Sequence, residues 1–465
     1  MIPYLQPLKP MSRLATALSH IAIIGLICLG FNGCGGSGAG STVYLGATIF
    51  DGTGAPPIYD AALLVSDGRI EAIGPEGEVR VPRGAQELRI DGMWIIPGLI
   101  DAHVHAANWT LSRFLSYGVT SVRSMGGDQE AMIALRDSVL IGSLLGPRMY
   151  ISGAMIDGSS PTWPSATSVR SASEGRSAVD DRVLIDAAQV KIYTKIDRNL
   201  LAAIADEAQA LQIPIAAHLG KVDAVTAAQM GVSSIEHMTG VVEATLANPS
   251  RLFSAHDNFF YGWKRTTRSW ATLDSSALAG TAQSLAETGA SIVPTLVLYE
   301  TFAHLADADY VSGLDLSGVP QSVSDDWDVP DLIRRAQLTQ SDYVVFRRAR
   351  PIQDLFVKLF RDQNGNVAAG TDTPNQLIAP GASIHDELAF LVAAGLSTED
   401  ALLAATRNAA RVIGVDSIGV LIPGNVADFV VLTADPLEDI NNTRALDRIV
   451  YKGVSYHPAE FKLDW

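Results

Sequence analysis

Both ends of the chain carry short apolar or alternating segments that are separated by Gly, Pro and Asp residues. This pattern predicts β-strands joined by tight turns, one of them at Asp67-Gly68. The predicted strands are 43–50, 61–65 and 69–73 near the amino terminus and 428–432 and 448–451 near the carboxyl terminus. We therefore expect a small β-sandwich domain built from residues 42–97 and 413–465.

The middle of the chain alternates short apolar runs with segments of helical periodicity. The predicted strands are 99–102, 118–122, 148–152, 190–193, 213–217, 234–236, 291–298 and 367–369. Residues 200–211 have apolar side chains at helical spacing, and the capping pattern Ser397-x-x-Asp400 begins a predicted helix that extends to Ile413. Eight such units over residues 98–412 predict an α/β fold, a (β/α)8 TIM barrel.

Three long insertions interrupt the barrel pattern after predicted strands. They cover residues 158–178, 241–278 and 301–355 and contain Trp and Tyr residues. Active sites of barrels lie at the carboxyl ends of the strands, so we expect these insertions to form lids over a site.

Residues 1–34 have the order of residue types found in a secretory signal. Lys9 and Arg13 precede an apolar run, which ends at a small residue and Cys34. This ending resembles the bacterial lipobox, in which the cysteine receives lipid, and an uncleaved membrane anchor is the alternative. With residues 35–41 as a Gly/Ser linker, we expect an exported, membrane-anchored lipoprotein of the periplasm or cell envelope.

Charge and cysteine content narrow the chemistry of the rest of the chain. The chain has 34 basic and 50 acidic residues, a net charge of −16, which disfavours nucleic acid as a partner. Its two cysteines, Cys28 and Cys34, both lie in the signal-like segment. A metal in the remaining sequence would therefore have to be held by histidine and carboxylate.

Histidines occur at the ends of several predicted strands. His103 and His105 share a face because side chains alternate along a strand, and two strand steps separate them by about 6.6 Å. Both imidazoles can therefore reach one metal ion. His218 and His237 each end a later predicted strand, which makes the pattern much more specific than a lone His-x-His.

Two further ionisable residues follow or interrupt predicted strands. Lys191 lies in an apolar strand, where it either pairs with a carboxylate or is a neutral amine that has captured carbon dioxide. Asp372 follows residues 367–369 and belongs either to a turn or to a metal site in which it accepts a proton from water.

Together these motifs resemble the metal-dependent amidohydrolase superfamily over residues 42–456. The resemblance rests on Asp-Ala-His-Val-His at 101–105 after Ile-Pro-Gly-Leu-Ile, the strand lysine, the strand-end histidines, Gly-Thr-Asp at 370–372 and the closing segment 422–430. Segments 190–193, 234–237 and 381–388 are similar to the imidazolonepropionase-like and prolidase-related branch. That branch includes dipeptidases with a carbamylated lysine and a mononuclear cyclic-amide hydrolase without that lysine.

The resemblance implies a binuclear centre with two divalent metal ions, zinc being the expected metal. His103 and His105 would bind one ion with Asp372, His218 and His237 would bind the other, and carbamylated Lys191 would bridge both. Asp372 would be the general base and acid, taking a proton from the attacking water and giving it to the leaving amine.

Three residues are candidates for contact with substrate. Tyr193 shares the face of Lys191 and is either a hydrogen-bond donor to the developing oxyanion or a core tyrosine. His385 follows the last predicted barrel strand and either reaches substrate or belongs to a helix start. Arg123 ends the second strand and either binds a substrate carboxylate or forms a structural ion pair.

The expected function is hydrolysis of amide bonds in a small molecule or peptide, by a dipeptidase or an N-acyl-amino-acid hydrolase. A cyclic-amide or lactone hydrolase is the alternative among enzymes, because loops rather than the metal core separate these chemistries. A non-catalytic binding lipoprotein is the alternative of another class, and a homo-oligomer is compatible with the sequence.

Overall fold

The structure is a computed structural model that describes residues 40–461. Its strands are β1 (Ser41–Ile49), β2 (Ile58–Ser66), β3 (Arg69–Pro75), β4 (Gln86–Arg89), β5 (Trp94–Pro97), β6 (Leu99–Val104), β7 (Val119–Ser124), β8 (Arg148–Ile151), β9 (Ile156–Asp157), β10 (Thr167–Ser168), β11 (Val190–Ile192), β12 (Ile215–Ala217), β13 (Val232–Glu236), β14 (Ser291–Val293), β15 (Phe429–Leu432), β16 (Leu446–Tyr451) and β17 (Val454–Tyr456).

The helices lie between the strands in the middle of the chain. They are α1 (Leu111–Ser116), α2 (Gln129–Leu140), α3 (Ala172–Leu184), α4 (Arg198–Ala210), α5 (Ala224–Gln229), α6 (Val241–Thr245), α7 (Ser250–Ala255), α8 (Phe259–Trp270), α9 (Ser275–Glu287), α10 (Leu296–Ala303), α11 (Ala308–Ser312), α12 (Gln321–Asp326), α13 (Val329–Ala336), α14 (Gln340–Asp362), α15 (Ala382–Ala393), α16 (Thr398–Ala404) and α17 (Arg407–Ile413). None of the helices within 40–461 is long and apolar enough to cross a bilayer.

One eight-stranded sheet combines both ends of the described chain. Its order is β17-β16-β15-β5-β1-β2-β3, with β4 paired to β1. Every predicted terminal strand is present in it. The apolar faces pack into a core in which the rings of Tyr44 and Phe429 meet edge to face, 5.0 Å apart. Antiparallel pairing of β5 with β15 joins the amino-terminal strands to the carboxyl-terminal ones.

Two parallel sheets with surrounding helices make up the middle of the chain, a TIM-barrel-like α/β arrangement. Their orders are β6-β7-β8 and β10-β9-β11-β12-β13-β14. Residues 366–373 contact both sheets, since the Ala368 amide donates to the Ile292 carbonyl and the Ala102 amide donates to the Ala369 carbonyl. The predicted strand 367–369 is thus reduced to isolated bridges and loop hydrogen bonds.

Two elements differ from the sequence prediction for reasons that involve distant residues. The predicted strand 291–298 ends at Val293, because the buried Glu387 carboxylate accepts the Val297 amide at 2.8 Å at the start of α10. The predicted helix from Ser397 to Ile413 is interrupted between α16 and α17. There the Ala405 carbonyl accepts a hydrogen bond from the Ile100 amide of β6.

The predicted insertions contribute mainly helices. Residues 158–178 include β10 and the start of α3, residues 241–278 include α6 to α8, and residues 301–355 include α11 to α13. The signal segment, the lipid anchor at Cys34 and the linker fall almost wholly before residue 40 and so lie outside the described residues.

Candidate active site

The strand-end residues singled out in the sequence converge on one cavity of about 530 Å³. Each comes from a different point of the parallel sheets: β6, β11, and the positions following β12, β13 and segment 367–369. The members that line the cavity are His103, His105, Lys191, His218, His237 and Asp372. Parallel strands deliver their carboxyl ends to the same edge, which is why residues far apart in the sequence meet there.

The backbone at this edge adopts a left-handed conformation at three successive strand ends. The φ angles are 56° at His237, 49° at Thr295 and 62° at Asp372. Non-glycine residues rarely occupy this region, and they do so mainly where the surrounding structure imposes it at functional sites. Of these residues, His237 and Asp372 line the cavity, and the Thr295 hydroxyl lies 2.8 Å from Nδ1 of His237.

His103, His105 and Asp372 form a compact group of metal-ligating atoms. Their ligand atoms all lie within 4.8 Å of one another. The Nε2 atoms of His103 and His105 lie 3.3 and 3.1 Å from Oδ1 of Asp372. Two imidazole nitrogens and one carboxylate oxygen facing a common point are a donor set that suits a divalent transition metal.

His218 and His237 extend this group along the cavity. The His237 ring lies 4.4 Å from the ring of His103 and 4.9 Å from that of His218, measured between centroids. Burial lowers the pKa of both His218 and His237 well below the usual range, so both rings are neutral. Neutral imidazoles are the form in which histidine binds a metal.

Three of the histidines use Nδ1 for a contact with another residue, so Nε2 is the ring nitrogen left to face a metal ion. His103 Nδ1 donates to Oε2 of Glu236 at 2.6 Å, and His105 Nδ1 donates to the Gly126 carbonyl at 2.9 Å. His237 Nδ1 lies 2.8 Å from the Thr295 hydroxyl. Metal-binding histidines have this second hydrogen bond, which fixes the tautomer and the ring orientation.

Lys191 has a buried amine with no hydrogen-bond partner within residues 40–461. Its side chain is 1% exposed, and its Nζ is unsatisfied. Burial lowers the pKa of Lys191 to about 8, so about a tenth of the amine is neutral at pH 7, far more than for an ordinary lysine. Among the described residues Lys191 is therefore not paired directly with a carboxylate, which was the alternative. A buried amine without a hydrogen-bond partner is consistent with a further chemical group bound at Nζ.

Asp372 is held as a carboxylate with two different environments for its oxygens. Burial raises its pKa, but His237, His103 and His105 outweigh this effect and hold the pKa well below its usual range. Oδ2 accepts a hydrogen bond from the Asn375 side-chain amide at 2.8 Å, while Oδ1 faces the histidines. The carboxylate is thus oriented as well as charged.

Comparison with known proteins agrees with this geometry. Residues 94–455 match the family described as amidohydrolase. The chain belongs to the amidohydrolase family. Members of this family depend on metal, and the histidine and aspartate cluster supplies ligands of the required kind.

Individual relatives of this amidohydrolase either match a short stretch of the chain or have low sequence identity. An imidazolonepropionase of Pseudomonas entomophila is 47% identical over 49 residues, 10% of this chain and 12% of that protein. The chain thus matches about an eighth of the length of that curated relative. Among solved structures, a putative prolidase from Bifidobacterium longum has a TM-score of 0.66 and 23% identity, covering 90% of this chain and 94% of the other. An Xaa-Pro dipeptidase with bound methionine also has a TM-score of 0.66, with 18% identity and coverage of 90% and 100%.

Two buried carboxylates of the amidohydrolase site were missed by sequence reasoning. Glu236 precedes His237 within the recognised motif, and it connects His103 to Arg123 through its two oxygens, at 2.6 and 2.7 Å. Asp101 accepts hydrogen bonds from the Thr371 amide and hydroxyl, at 3.0 and 2.7 Å. Both residues lie inside the sequence motifs at 101–105 and 234–237. The signal that could have identified them is a charged residue within a predicted strand, because burying a charge is costly unless it is paired.

Arg123 is a structural residue, and its prediction as a substrate contact is wrong. Its side chain is 1% exposed and does not line the cavity. The guanidinium donates to the Ala102 carbonyl at 2.6 Å, the Ser234 hydroxyl at 3.1 Å and Glu236 Oε1 at 2.7 Å. These acceptors engage all three guanidinium nitrogens and hold the side chain in the interior, away from the cavity.

The prediction of His385 as a substrate contact is also wrong, whereas Tyr193 lies where substrate would bind. His385 is fully buried in α15, where it contacts the Thr443 hydroxyl at 2.9 Å and the Tyr117 carbonyl at 3.1 Å. Helix α15 turns this ring away from the cavity. Tyr193 lines the cavity, with its ring 4.6 Å from that of His218.

Replacing Glu236 with Gln is expected to weaken metal affinity by about 10- to 100-fold, because the partner that fixes the His103 ring loses its charge. It also leaves the buried Arg123 without a full counter-charge, so the free energy of unfolding should fall by about 3–5 kcal/mol. Metal titration and denaturant unfolding measure the two effects separately.

Glu207→Gln is the matched control for this prediction. Glu207 pairs with Arg176 at 3.0 Å on the partly exposed surface between α3 and α4, where loss of charge should cost less than about 1 kcal/mol. Unchanged metal affinity in Glu236→Gln would show that this carboxylate does not hold His103 in place.

Proposed function

We propose that this amidohydrolase cleaves amide bonds with the help of bound metal and acts as a dipeptidase or an N-acyl-amino-acid hydrolase. The observation that carries the proposal is the convergence of four histidines, an orphan lysine amine and an oriented aspartate on one cavity. The cavity, about 530 Å³, is large enough for a dipeptide-sized molecule.

Two divalent ions, with zinc as the expected metal, are proposed to occupy the site. His103, His105 and Asp372 would hold one, and His218 and His237, whose rings are neutral, would hold the other. When bound, such ions polarise the scissile carbonyl and lower the pKa of water.

Lys191 is proposed to bridge the two positions as a carbamate. Its neutral amine would add to carbon dioxide, forming a nitrogen–carbon bond and releasing one proton. The lowered pKa and the absence of a partner for Nζ within residues 40–461 support this reaction, because only an unprotonated amine is nucleophilic.

The proton steps are assigned to the residues of the chain. Asp372 would take a proton from the attacking water through Oδ1 and return it to the leaving amine, while Asn375 holds Oδ2. Burial raises the pKa of Tyr193, so its hydroxyl keeps its proton and would donate a hydrogen bond to the oxygen that gains negative charge.

A cyclic-amide hydrolase is the second candidate function. It is favoured by the local identity of 47% to an imidazolonepropionase. Lys191 favours the open-chain alternative, since the cyclic-amide enzyme of the resembling branch lacks that lysine. The two functions need different leaving groups, so a substrate panel separates them.

Finer points of architecture and location belong to the same proposal. Hydrogen bonds from the Ala188 amide to the Ile151 carbonyl and from the Ala102 amide to the Ala369 carbonyl support a ring of strands that closes as a (β/α)8 barrel. We also propose that the terminal sheet folds as a separate sandwich-like domain.

We further propose that a lipid at Cys34 anchors the exported protein to a membrane. Metabolic labelling with a radioactive fatty acid, lost in Cys34→Ala, tests the anchor.

The function is tested by incubating the zinc-loaded protein with dipeptides, N-acyl amino acids and lactams and measuring released amine or ring opening. We expect release from dipeptides or N-acyl amino acids. Opening of lactams alone would move the protein to the cyclic-amide class. Silence across the panel in protein shown to contain metal would contradict hydrolysis and favour a binding protein.

A further inference from the structure

An aromatic wall borders the candidate metal centre and is built from the inserted segments rather than from the barrel strands. The wall consists of Trp163, Phe259, Phe260, Trp263 and Phe302, all of which line the cavity. Trp163 belongs to the first insertion, the next three residues to the second and Phe302 to the third. None of these residues was assigned a role by the strand-end motifs.

Phe259 connects this wall to the metal centre. Its ring stacks on Tyr193 with centroids 5.8 Å apart and planes at 25°, and it lies 5.9 Å from the ring of His218. Phe259 is the first residue of α8, whose amino terminus is capped by Asn258 through a hydrogen bond from the Tyr261 amide. The cap fixes the position of the ring at the centre of the site.

The wall continues outward on both sides of Phe259. Trp163 lies 5.8 Å from Phe259 on one side, and Phe260 lies 5.2 Å from it on the other. Trp263 and Phe302 meet edge to face at 5.0 Å. Aromatic rings therefore extend from His218 through Phe259 to Trp163 and Phe260, and a second aromatic pair lines the same cavity.

The inner part of the wall has no role in the packing of the fold. Trp163 and Phe259 belong to none of the hydrophobic clusters formed by the described residues, and both are only partly buried. Large aromatic side chains that stay partly exposed in a concave site mark surfaces that bind apolar groups.

The charges next to the aromatic wall disfavour an acidic side chain on the substrate. Asp326, Asp328 and Asp331 line the cavity together with one arginine, Arg335. The Arg335 guanidinium lies 4.7 Å from the centre of the Phe260 ring and 3.7 Å from Asp331, so it is already engaged. A negatively charged side chain would meet excess carboxylate there, whereas an aromatic or aliphatic one would not.

We propose that the aromatic wall is the specificity subsite of this enzyme and selects substrates with an aromatic or bulky aliphatic group next to the scissile amide. This inference rests on the proposed amide hydrolysis, and it names the substrate class. Because Phe259 touches both Tyr193 and His218, the group it contacts must be the one attached directly to the reacting bond.

The test compares kcat/KM of the zinc-loaded enzyme for phenylalanyl-alanine, alanyl-phenylalanine, alanyl-alanine and alanyl-aspartate. We expect one phenylalanine peptide to exceed alanyl-alanine by about 100-fold, and alanyl-aspartate to be the poorest substrate. The position of the preferred phenylalanine identifies whether the wall holds the acyl or the amine side. Equal rates for all four peptides would overturn the inference while leaving amide hydrolysis intact.

Phe259→Ala should reduce the preference for phenylalanine over alanine by about tenfold, as expected for loss of a stacked aromatic contact. Tyr261→Ala is the matched control, since Tyr261 is on the same helix, is 49% exposed and does not line the cavity. An unchanged preference in Phe259→Ala would overturn the assignment of the wall.

Binding measurements keep the inference testable even if no peptide is cleaved. Calorimetric titration with N-acetyl-phenylalanine amide and N-acetyl-alanine amide then replaces turnover. Tighter binding of the phenylalanine compound, lost in Phe259→Ala and retained in Tyr261→Ala, would support the subsite although the proposed hydrolysis had failed. Equal affinities for the two compounds would reject the subsite, independently of whether the protein hydrolyses amides.

Discussion

An enzyme carrying Asp372→Asn is expected to lose turnover by about 100- to 10,000-fold, the range for removal of a general acid–base group. The substitution keeps the size of the side chain, and the Asn375 amide can still donate to the oxygen that remains. It removes the negative charge that faces His103 and His105 at 3.3 and 3.1 Å. The measurement is kcat for the best substrate of the panel, with metal content determined on the same preparation.

The metal content distinguishes loss of chemistry from loss of the site. Four histidines remain in Asp372→Asn, so most of the metal should stay bound. Turnover close to that of the unchanged protein would contradict the role of Asp372 in proton transfer. Loss of metal and activity together would make Asp372 chiefly a ligand.

An enzyme carrying Lys191→Ala is expected to lose turnover by more than about 100-fold. This loss is larger than that caused by removing a residue that only hydrogen-bonds to a metal ligand, about 10- to 100-fold. The side chain is buried next to the histidines, and its amine has no partner within residues 40–461 that would explain a purely structural role. We expect short carboxylates such as acetate or propionate to restore part of the activity, because they supply the two oxygens of the missing carbamate.

Alkylamines are the informative alternative in this rescue experiment. Rescue by ethylamine or propylamine instead of carboxylates would show that Lys191 acts as a cation and would reject carbamylation. Lys358→Ala is the control, since Lys358 pairs with Asp362 on the exposed surface of α14 and should leave kcat unchanged. A carbamate carbon signal from ¹³C-bicarbonate, absent in Lys191→Ala, provides direct evidence.

Local patterns predicted most strands because burial and alternation leave a short-range signal. Strands β6, β7, β8, β11, β12, β13 and β14 all overlap predicted segments. The errors at α10 and between α16 and α17 arose where a distant group captured a backbone amide or carbonyl. Glu387 is 90 residues from Val297, and the Ala405 carbonyl accepts the Ile100 amide of β6. No local window contains such partners.

The contrast between Arg123 and Lys191 shows where residue type alone is insufficient. Both are cationic residues in buried strands of the parallel sheets. Glu236, 113 residues along the chain, provides a counter-charge for Arg123, whereas the Lys191 amine is left free among the described residues. Only the arrangement of the strands decides which of the two is paired.

The sequence by itself determined the order of strands and the residues at their carboxyl ends, because strand alternation and parallel topology carry such side chains to one edge. It thereby indicated the histidines, Lys191 and Asp372 as residues of one site. The tertiary structure alone decided which polar residues make their hydrogen bonds away from the cavity, as His385 does, and which loops surround the cavity. Loop rings such as Phe259 have no periodic signal, since their positions depend on long-range packing rather than on local backbone geometry.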